Sequence, residues 1–263
     1  MERIDVMKEY YSAITDNRIK AFYQPVYRLH KFSTITAAEA LCRIVMKDGS
    51  IMMPDKFIPI LEETGEICTL DWIMIDRVCS AIRDIHEGMD PGIVISVNFS
   101  RCHVEEWDAV ERLVSVAEFY GIPHDRIEIE ITETYKTDDF LLIFMMKRLR
   151  SEGFRVAIDD FGDGYNSLKF IKEADFDTIK LDRSIIKHIG KDNSGAIIKG
   201  FSKMAEKLGV RLIAEGIESP VQAAEVSCNG CTHLQGNYLS KPIPRDEFYE
   251  LILKNRNEEN IAG

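Results

Sequence analysis

Short strand-like apolar stretches recur along this chain at residues 21–29, 34–44, 93–98, 127–132, 155–159, 178–181, 211–214 and 232–234. Longer stretches with helical patterning separate most of them, at 54–64, 70–87, 104–120, 137–152, 183–208 with a break near Gly190, and 220–226; a last one, 244–254, closes the chain. Eight strands alternating with helices predict an α/β fold, a single (β/α)8 barrel of the TIM type. The first two strands are joined by only a few residues around 30–33, whereas a parallel crossover takes about a dozen, so the first strand is expected to run antiparallel. No internal repeat, low-complexity tract or Pro/Ser-rich linker divides the sequence. Residues 1–263 are therefore read as one domain, with a core over about 18–255.

The phase of the strands says which side chains face which way. Side chains of a strand alternate between faces. Ile127, Ile129 and Ile131 oppose Glu128, Glu130 and Thr132; Ile93, Ile95 and Val97 oppose Val94, Ser96 and Asn98; Ile179 and Leu181 oppose Thr178, Lys180 and Asp182. In a barrel the apolar face packs under the helices and the other points toward the axis. Glu39, Asn98, Glu130, Asp159, Lys180, Glu215 and Gln235, from seven successive strands, are thereby expected to meet at the C-terminal mouth, where barrel enzymes keep their active sites.

The segment RVAIDDFGDGYNSL, residues 155–168, sharpens this expectation. Its strand runs out at Asp159 and Asp160 and passes into a loop with Gly162 and Gly164. By itself an acid pair before a glycine is turn and cap chemistry. Set beside Glu39, Glu130 and Glu215 it becomes part of five carboxylates facing one lysine. Such groups repel and raise one another's pKa unless cations are present. All the ligands are hard oxygens, without His or Cys, so a pair of Mg2+ or Mn2+ ions suits them better than zinc.

Composition narrows the partners. The 33 basic and 44 acidic residues leave a formal net charge of −11, which argues against long nucleic acid as the main partner, since that affinity comes from neutralising phosphates. A small phosphate ester held by metal ions stays compatible. The amino-terminal segment has no apolar core of the secretory kind, and the longest apolar run, 140–146, is short of the roughly 20 residues that cross a bilayer, so a cytoplasmic protein is expected. Of six cysteines only Cys228 and Cys231 have CxxC spacing, around a turn at Asn229-Gly230; reduced thiols are expected rather than a redox or zinc pair.

The ordered blocks YQPV (23–26), EALCR (39–43), FIPILEETG (57–65), SVNFS (96–100), EITET (130–134), DDFGDGYNSL (159–168), IKLD (179–182), AEGIES (214–219) and QGNYLSKP (235–242) resemble the EAL-domain family of cyclic-di-GMP phosphodiesterases. The resemblance spans nearly the whole chain. It implies opening of cyclic di-GMP to linear pGpG by two-metal, in-line attack of water. Glu39, Asn98, Glu130 and Asp159 would hold one ion, and Asp159, Asp160 and Glu215 the other. Lys180 would hold or activate the water, with Gln235 beside it. Gln24, Leu41, Arg43, Asp182 and Glu218 would contact substrate, and Glu133 would anchor the loop after Asp160. Asp163 and Asn166 depart from the family's usual loop, DFGTGYSSL, and Cys42 and Ile44 from its common residues around Arg43.

Two other readings stay open. A receptor of the same fold would bind the dinucleotide without cutting it, though such members typically lose ligands that are present here. His124-Asp125 offers an HD-type phosphohydrolase, which needs further histidines. The predicted helix 137–152 is apolar all round in its middle, FLLIFMM, and its surplus face is expected to form a homodimer contact.

Overall fold

The computed structural model describes residues 3–29, 33–88, 92–132, 139–162, 168–187, 189–190 and 193–262. Its strands are β1 (Ile19–Leu29), β2 (Ser33–Val45), β3 (Ile51–Met52), β4 (Val94–Asn98), β5 (Ile127–Thr132), β6 (Arg155–Phe161), β7 (Thr178–Leu181), β8 (Arg211–Ala214), β9 (His233–Leu234) and β10 (Ile243–Pro244). Around the ring the order is β1, β9, β8, β7, β6, β5, β4, β2, and the β1–β2 pairing closes it. All contacts from β2 through β4 to β9 are parallel, while β1 is antiparallel to both of its ring neighbours. The short link after β1 therefore sets the strand direction as expected. It also pairs Gln24 directly with Glu39 across the β1–β2 ladder. The short strands β3 and β10 extend β2 and β1 outside the ring.

The helices are α1 (Arg3–Thr15), α2 (Ile58–Thr64), α3 (Ile67–Gly88), α4 (Ala109–Tyr120), α5 (Asp139–Ser151), α6 (Leu168–Glu173), α7 (Arg183–Lys187), α8 (Ser194–Leu208), α9 (Pro220–Cys228) and α10 (Arg245–Ala262). The predicted helix at 54–64 is a 3-10 turn followed by α2, and that at 104–120 starts later because a 3-10 turn occupies Arg101–Glu105. The expected break near Gly190 separates α7 from α8; Gly190 has φ +81°, in the left-handed region that favours glycine. Neither α1, α6, β3 nor β10 was anticipated. The stripe of α1 is nevertheless present, since its buried residues Val6, Tyr10 and Ala13 recur at spacings of a helical turn.

Strand phase is as read from the sequence. Ile127, Ile129, Ile131, Val156, Ile158, Ile179 and Leu181 all lie in the main core with side chains of the surrounding helices, among them Val78, Leu113 and Leu142. Inside the ring Val26, Ala37, Val94 and Ile213 form a smaller apolar cluster. Nearer the N-terminal ends of the parallel strands, Glu128 accepts from Thr178 Oγ1 at 2.6 Å and from Arg211 Nη2 at 2.7 Å. This polar cluster is electrically balanced, and Glu128 and Thr178 are buried. Beside it, burial and then the neighbouring Arg211 and Arg28 push the pKa of His233 down to about 4.

On α5, Leu142, Met145, Met146 and Leu149 are buried while Phe140, Leu141 and Phe144 are exposed, so the apolar surplus seen in the sequence is a surface. The expectation that every cysteine stays a thiol is corrected at one pair. Cys68 near the start of α3 and Cys102 in the turn after β4 form a disulfide across 34 residues, a proximity made by packing rather than by sequence spacing. Cys228 and Cys231 are free, as expected. Cys231 is buried with its thiol directed at the carbonyls of Leu212 and His233. Among the described residues, no helix is long and apolar enough to cross a membrane.

Two outcomes follow from the lower layer. Arg211→Ala strands the Glu128 carboxylate in the barrel without its cation, and equilibrium urea unfolding at neutral pH should show a loss of about 3–5 kcal/mol; a loss within error of zero would mean the pair is idle. Because the folded pKa of His233 lies below its unfolded value of 6.5, its contribution is present above pH 6.5 and is lost as pH falls through about 4. His233→Gln should therefore flatten the decline in stability between those two pH values, and an unchanged acid limb would count against it.

Candidate metal centre

Lys180 is the middle of the barrel mouth. It projects from β7 with 1% of its side chain exposed, and its Nζ lies 2.8 Å from Glu130 Oε1, 2.8 Å from Glu215 Oε1, 3.2 Å from Glu39 Oε2 and 3.2 Å from Asp159 Oδ1. An ammonium has three protons. It therefore cannot bond all four carboxylates at once, nor can one positive charge balance them. Burial opposes charge on Lys180, but the four carboxylates outweigh it and hold the ammonium pKa well above its usual value. Burial also raises the carboxyls themselves. Glu130 is held well above the ordinary range by burial and then by Glu39, and Glu215 is pushed up to about 8 by burial, with Asp159 and Glu39 adding to it against Lys180.

The neighbouring amides extend the cluster. Gln235 Nε2 donates to Glu39 Oε2 at 2.6 Å and to Gln24 Oε1 at 3.2 Å, and Gln24 Nε2 donates to the Ser240 carbonyl at 3.1 Å. Buried acceptors are left over. Among the described residues, Glu130 Oε2 and Gln235 Oε1 have no hydrogen-bond partner; Asp159 Oδ1 and Glu215 Oε1 are near Lys180 without hydrogen-bond alignment. Buried oxygen atoms with spare lone pairs and excess negative charge fit hard divalent cations.

A local distortion brings in the second acid of the pair. Successive strand residues point to opposite faces, so Asp159 and Asp160 in a regular strand would diverge. Instead β6 spends three residues, from Ile158 to Phe161, where β7 spends two, from Ile179 to Leu181. Asp160 takes the left-handed conformation within this bulge, with φ +53°. Carboxylate oxygens of Asp159, Asp160 and Glu215 consequently lie within 4.8 Å of one another, close enough to share a metal ion. Asn98 stands at the end of β4, half-buried and paired in register with Glu130. The loop after Glu215 is packed against that after Gln235: Ile217 N donates to the Gln235 carbonyl, and a Cβ on Gly236 would fall 2.2 Å from the Ile217 carbonyl oxygen. Only glycine permits that approach.

Two clefts open from this centre. Leu41 and Asn98 line one, together with Glu62, Asp71 and Ser100. Asp160 and Glu215 line the other, with Asp182, Glu218, Arg183 and Lys187. Asp182 also accepts from the Ser184 amide at 2.8 Å at the start of α7, and Glu218 is exposed. Arg43 is less available than expected. It is buried, donates to the Cys42 carbonyl at 2.8 Å and lies over the Phe22 ring, and burial lowers its pKa. Glu133, Asp163 and Asn166 lie outside the described residues.

Sequence reading passed over Asp71, Arg183 and Lys187. Asp71 is buried and accepts from the Ser100 amide at 2.7 Å, fixing the turn after Asn98; the available signal was an acid within the apolar stripe of α3. Arg183 and Lys187 are basic residues placed one helical turn apart on α7, in the second cleft. The His124-Asp125 pair is not part of any such centre. His124 stacks on Phe154 and meets the Glu152 carbonyl, in a turn at the N-terminal end of β5, away from the mouth.

Known proteins share this construction. The sequence model described as the EAL domain matches residues 7–242. The signaling protein YkoW of Bacillus subtilis is 33% identical over 92% of this chain and 30% of its own length, and the cyclic di-GMP phosphodiesterase NbdA of Pseudomonas aeruginosa is 30% identical over 95% of this chain and 32% of its own. The chain thus spans about a third of the length of these curated relatives. Among solved structures, the PaMucR phosphodiesterase in complex with c-di-GMP superposes with a TM-score of 0.86 at 26% identity, covering 93% of this chain and 99% of that one. The EAL enzyme Bd1971, in a form bound to cAMP and cyclic di-GMP, reaches 0.88 at 28% identity, over 95% and 69%. With its barrel, its ordered motifs and a family match over most of its length, this chain belongs to the EAL domain family.

Proposed function

We propose that this chain is a metal-dependent phosphodiesterase that opens cyclic di-GMP to linear pGpG. The observation that carries the reading is the gathering of Glu39, Glu130, Asp159 and Glu215 around Lys180, with Asp160 joining through the bulge. The names of NbdA and PaMucR, and the c-di-GMP in the latter's structure, supply the substrate class. Glu39, Asn98, Glu130 and Asp159 would hold one Mg2+ or Mn2+, and Asp159, Asp160 and Glu215 a second. Ions bound there lower the pKa of water and offset phosphodiester charge.

The chain's own groups do the positioning. Lys180, donor-only when protonated, holds the attacking water and faces the negative charge that develops on phosphorus oxygens. Gln235 and Gln24 keep Glu39 oriented through their linked amides. Leu41, Asp182 and Glu218 would contact substrate from the two clefts; the roles of Arg43 at the substrate and of Glu133 in anchoring the loop after Asp160 rest on the family resemblance. Glu130 and Glu215 would hold the ions as carboxylate anions. We further propose that Phe140, Leu141 and Phe144 on α5 pack against a second copy of the chain, burying apolar surface that a monomer leaves in water.

With labelled cyclic di-GMP and Mn2+, the wild-type chain should yield linear pGpG, and a chelator should stop it. Glu39→Ala should lower turnover by more than about 100-fold, because a ligand is lost together with the nucleophile it helps to generate. Near-normal cleavage by that variant would refute the assigned site; binding without product in the wild type would make the chain a receptor. For the α5 contact, sedimentation at micromolar concentration should show a dimer that Phe144→Glu converts to a monomer. A monomeric wild type would discard it.

A further inference from the structure

We propose that Cys68, Cys102 and His103 form a second metal site, of soft donors, that takes Zn2+ when the two cysteines are reduced. The two sulfur atoms and a ring nitrogen of His103 lie within 4.8 Å of one another, and the cysteine Cα atoms are 6.6 Å apart. Two thiolates and an imidazole are a zinc donor set, quite unlike the all-oxygen set of the barrel mouth.

His103 is built as a ligand is built. It is fully buried, stacked on Phe99 at 3.9 Å and 6° and met edge-on by Trp72, so its ring cannot turn freely. Its Nε2 faces the Asp71 carboxylate at 3.1 Å, and Asp71 is itself fixed by the Ser100 amide. A carboxylate on one ring nitrogen is the arrangement found behind metal-bound histidines. The other nitrogen, Nδ1, is buried and has no aligned hydrogen-bond partner among the described residues; Glu106 Oε2 stands 3.0 Å from it.

The disulfide sets the condition for binding. A thiol reductant transfers two electrons and two protons to the Cys68–Cys102 bond and leaves as its own disulfide. Each resulting thiol then gives up its proton as its sulfur bonds the metal. Occupancy ties the start of α3 to the turn after β4, the segment that follows Asn98. The site does not depend on the phosphodiesterase reading, because none of its donors lies in the barrel mouth.

Co2+ serves as the probe, since thiolate-to-cobalt charge transfer in the near ultraviolet reports sulfur ligands and is silent for oxygen ligands in the mouth. The reduced wild-type chain should develop this absorption with about one equivalent of Co2+ and lose it on adding Zn2+. The same chain with its disulfide intact should show none, which needs no variant and no assumption about refolding. Cys68→Ser should abolish the absorption and Cys228→Ser should keep it. A reduced wild type without the band, or a Cys68→Ser chain that retains it, overturns the proposal.

Discussion

One ammonium buried among more carboxylates than it has protons is the constraint around which this molecule is arranged. Lys180 is nearly inaccessible to water, and so are Glu130 and most of Glu39, Asp159 and Glu215. Without further cations such a group survives only by keeping protons on some of its acids, which is the direction in which Glu130 and Glu215 are pushed. A stability-optimised core would not contain it. Its retention, at the C-terminal ends of parallel strands, is what a site for cations and an anionic ester requires.

The interior of the barrel separates a balanced polar layer from an unbalanced one. Toward the N-terminal ends, Glu128, Arg211 and Thr178 satisfy one another, and His233 beside the arginines is kept neutral. Two residues further along the same strands, Glu130 and Lys180 belong to a cluster that is not balanced. The alternation of a strand puts both layers on the axis, and they differ in charge balance. The antiparallel β1 serves both. Its register sets Gln24 beside Glu39 at the mouth, and Arg28 opposite His233 below.

Donor chemistry divides the molecule a second time. The mouth offers oxygen alone, whereas the packing of α3 on the turn after β4 gathers sulfur and nitrogen. Asp71 stands between the two regions, bonding Ser100 close to Asn98 and His103 next to the cysteines.

Legibility in the sequence followed the range of the interaction. Strands alternating with helices announced the barrel and the short link at 30–33 its antiparallel start, while strict alternation in Ile127–Thr132 and the polar ends of successive strands announced the acids, lysine and amides of the mouth, because these are local properties of the chain. Short elements escaped where patterning was too brief or too diluted by polar residues, as in α6 and α1. Asp160 was named but not its means of joining Asp159, since a bulge arises from the mismatch of two strands and not from one of them. The burial of Arg43, the gathering of Arg183 and Lys187 at a cleft, and the meeting of Cys68 with Cys102 across 34 residues were decided by packing alone. The chain's own order thus determined which face each strand presents and which chemistry it brings; distances between those groups, and the charge each can bear once water is excluded, exist only after the ring has closed.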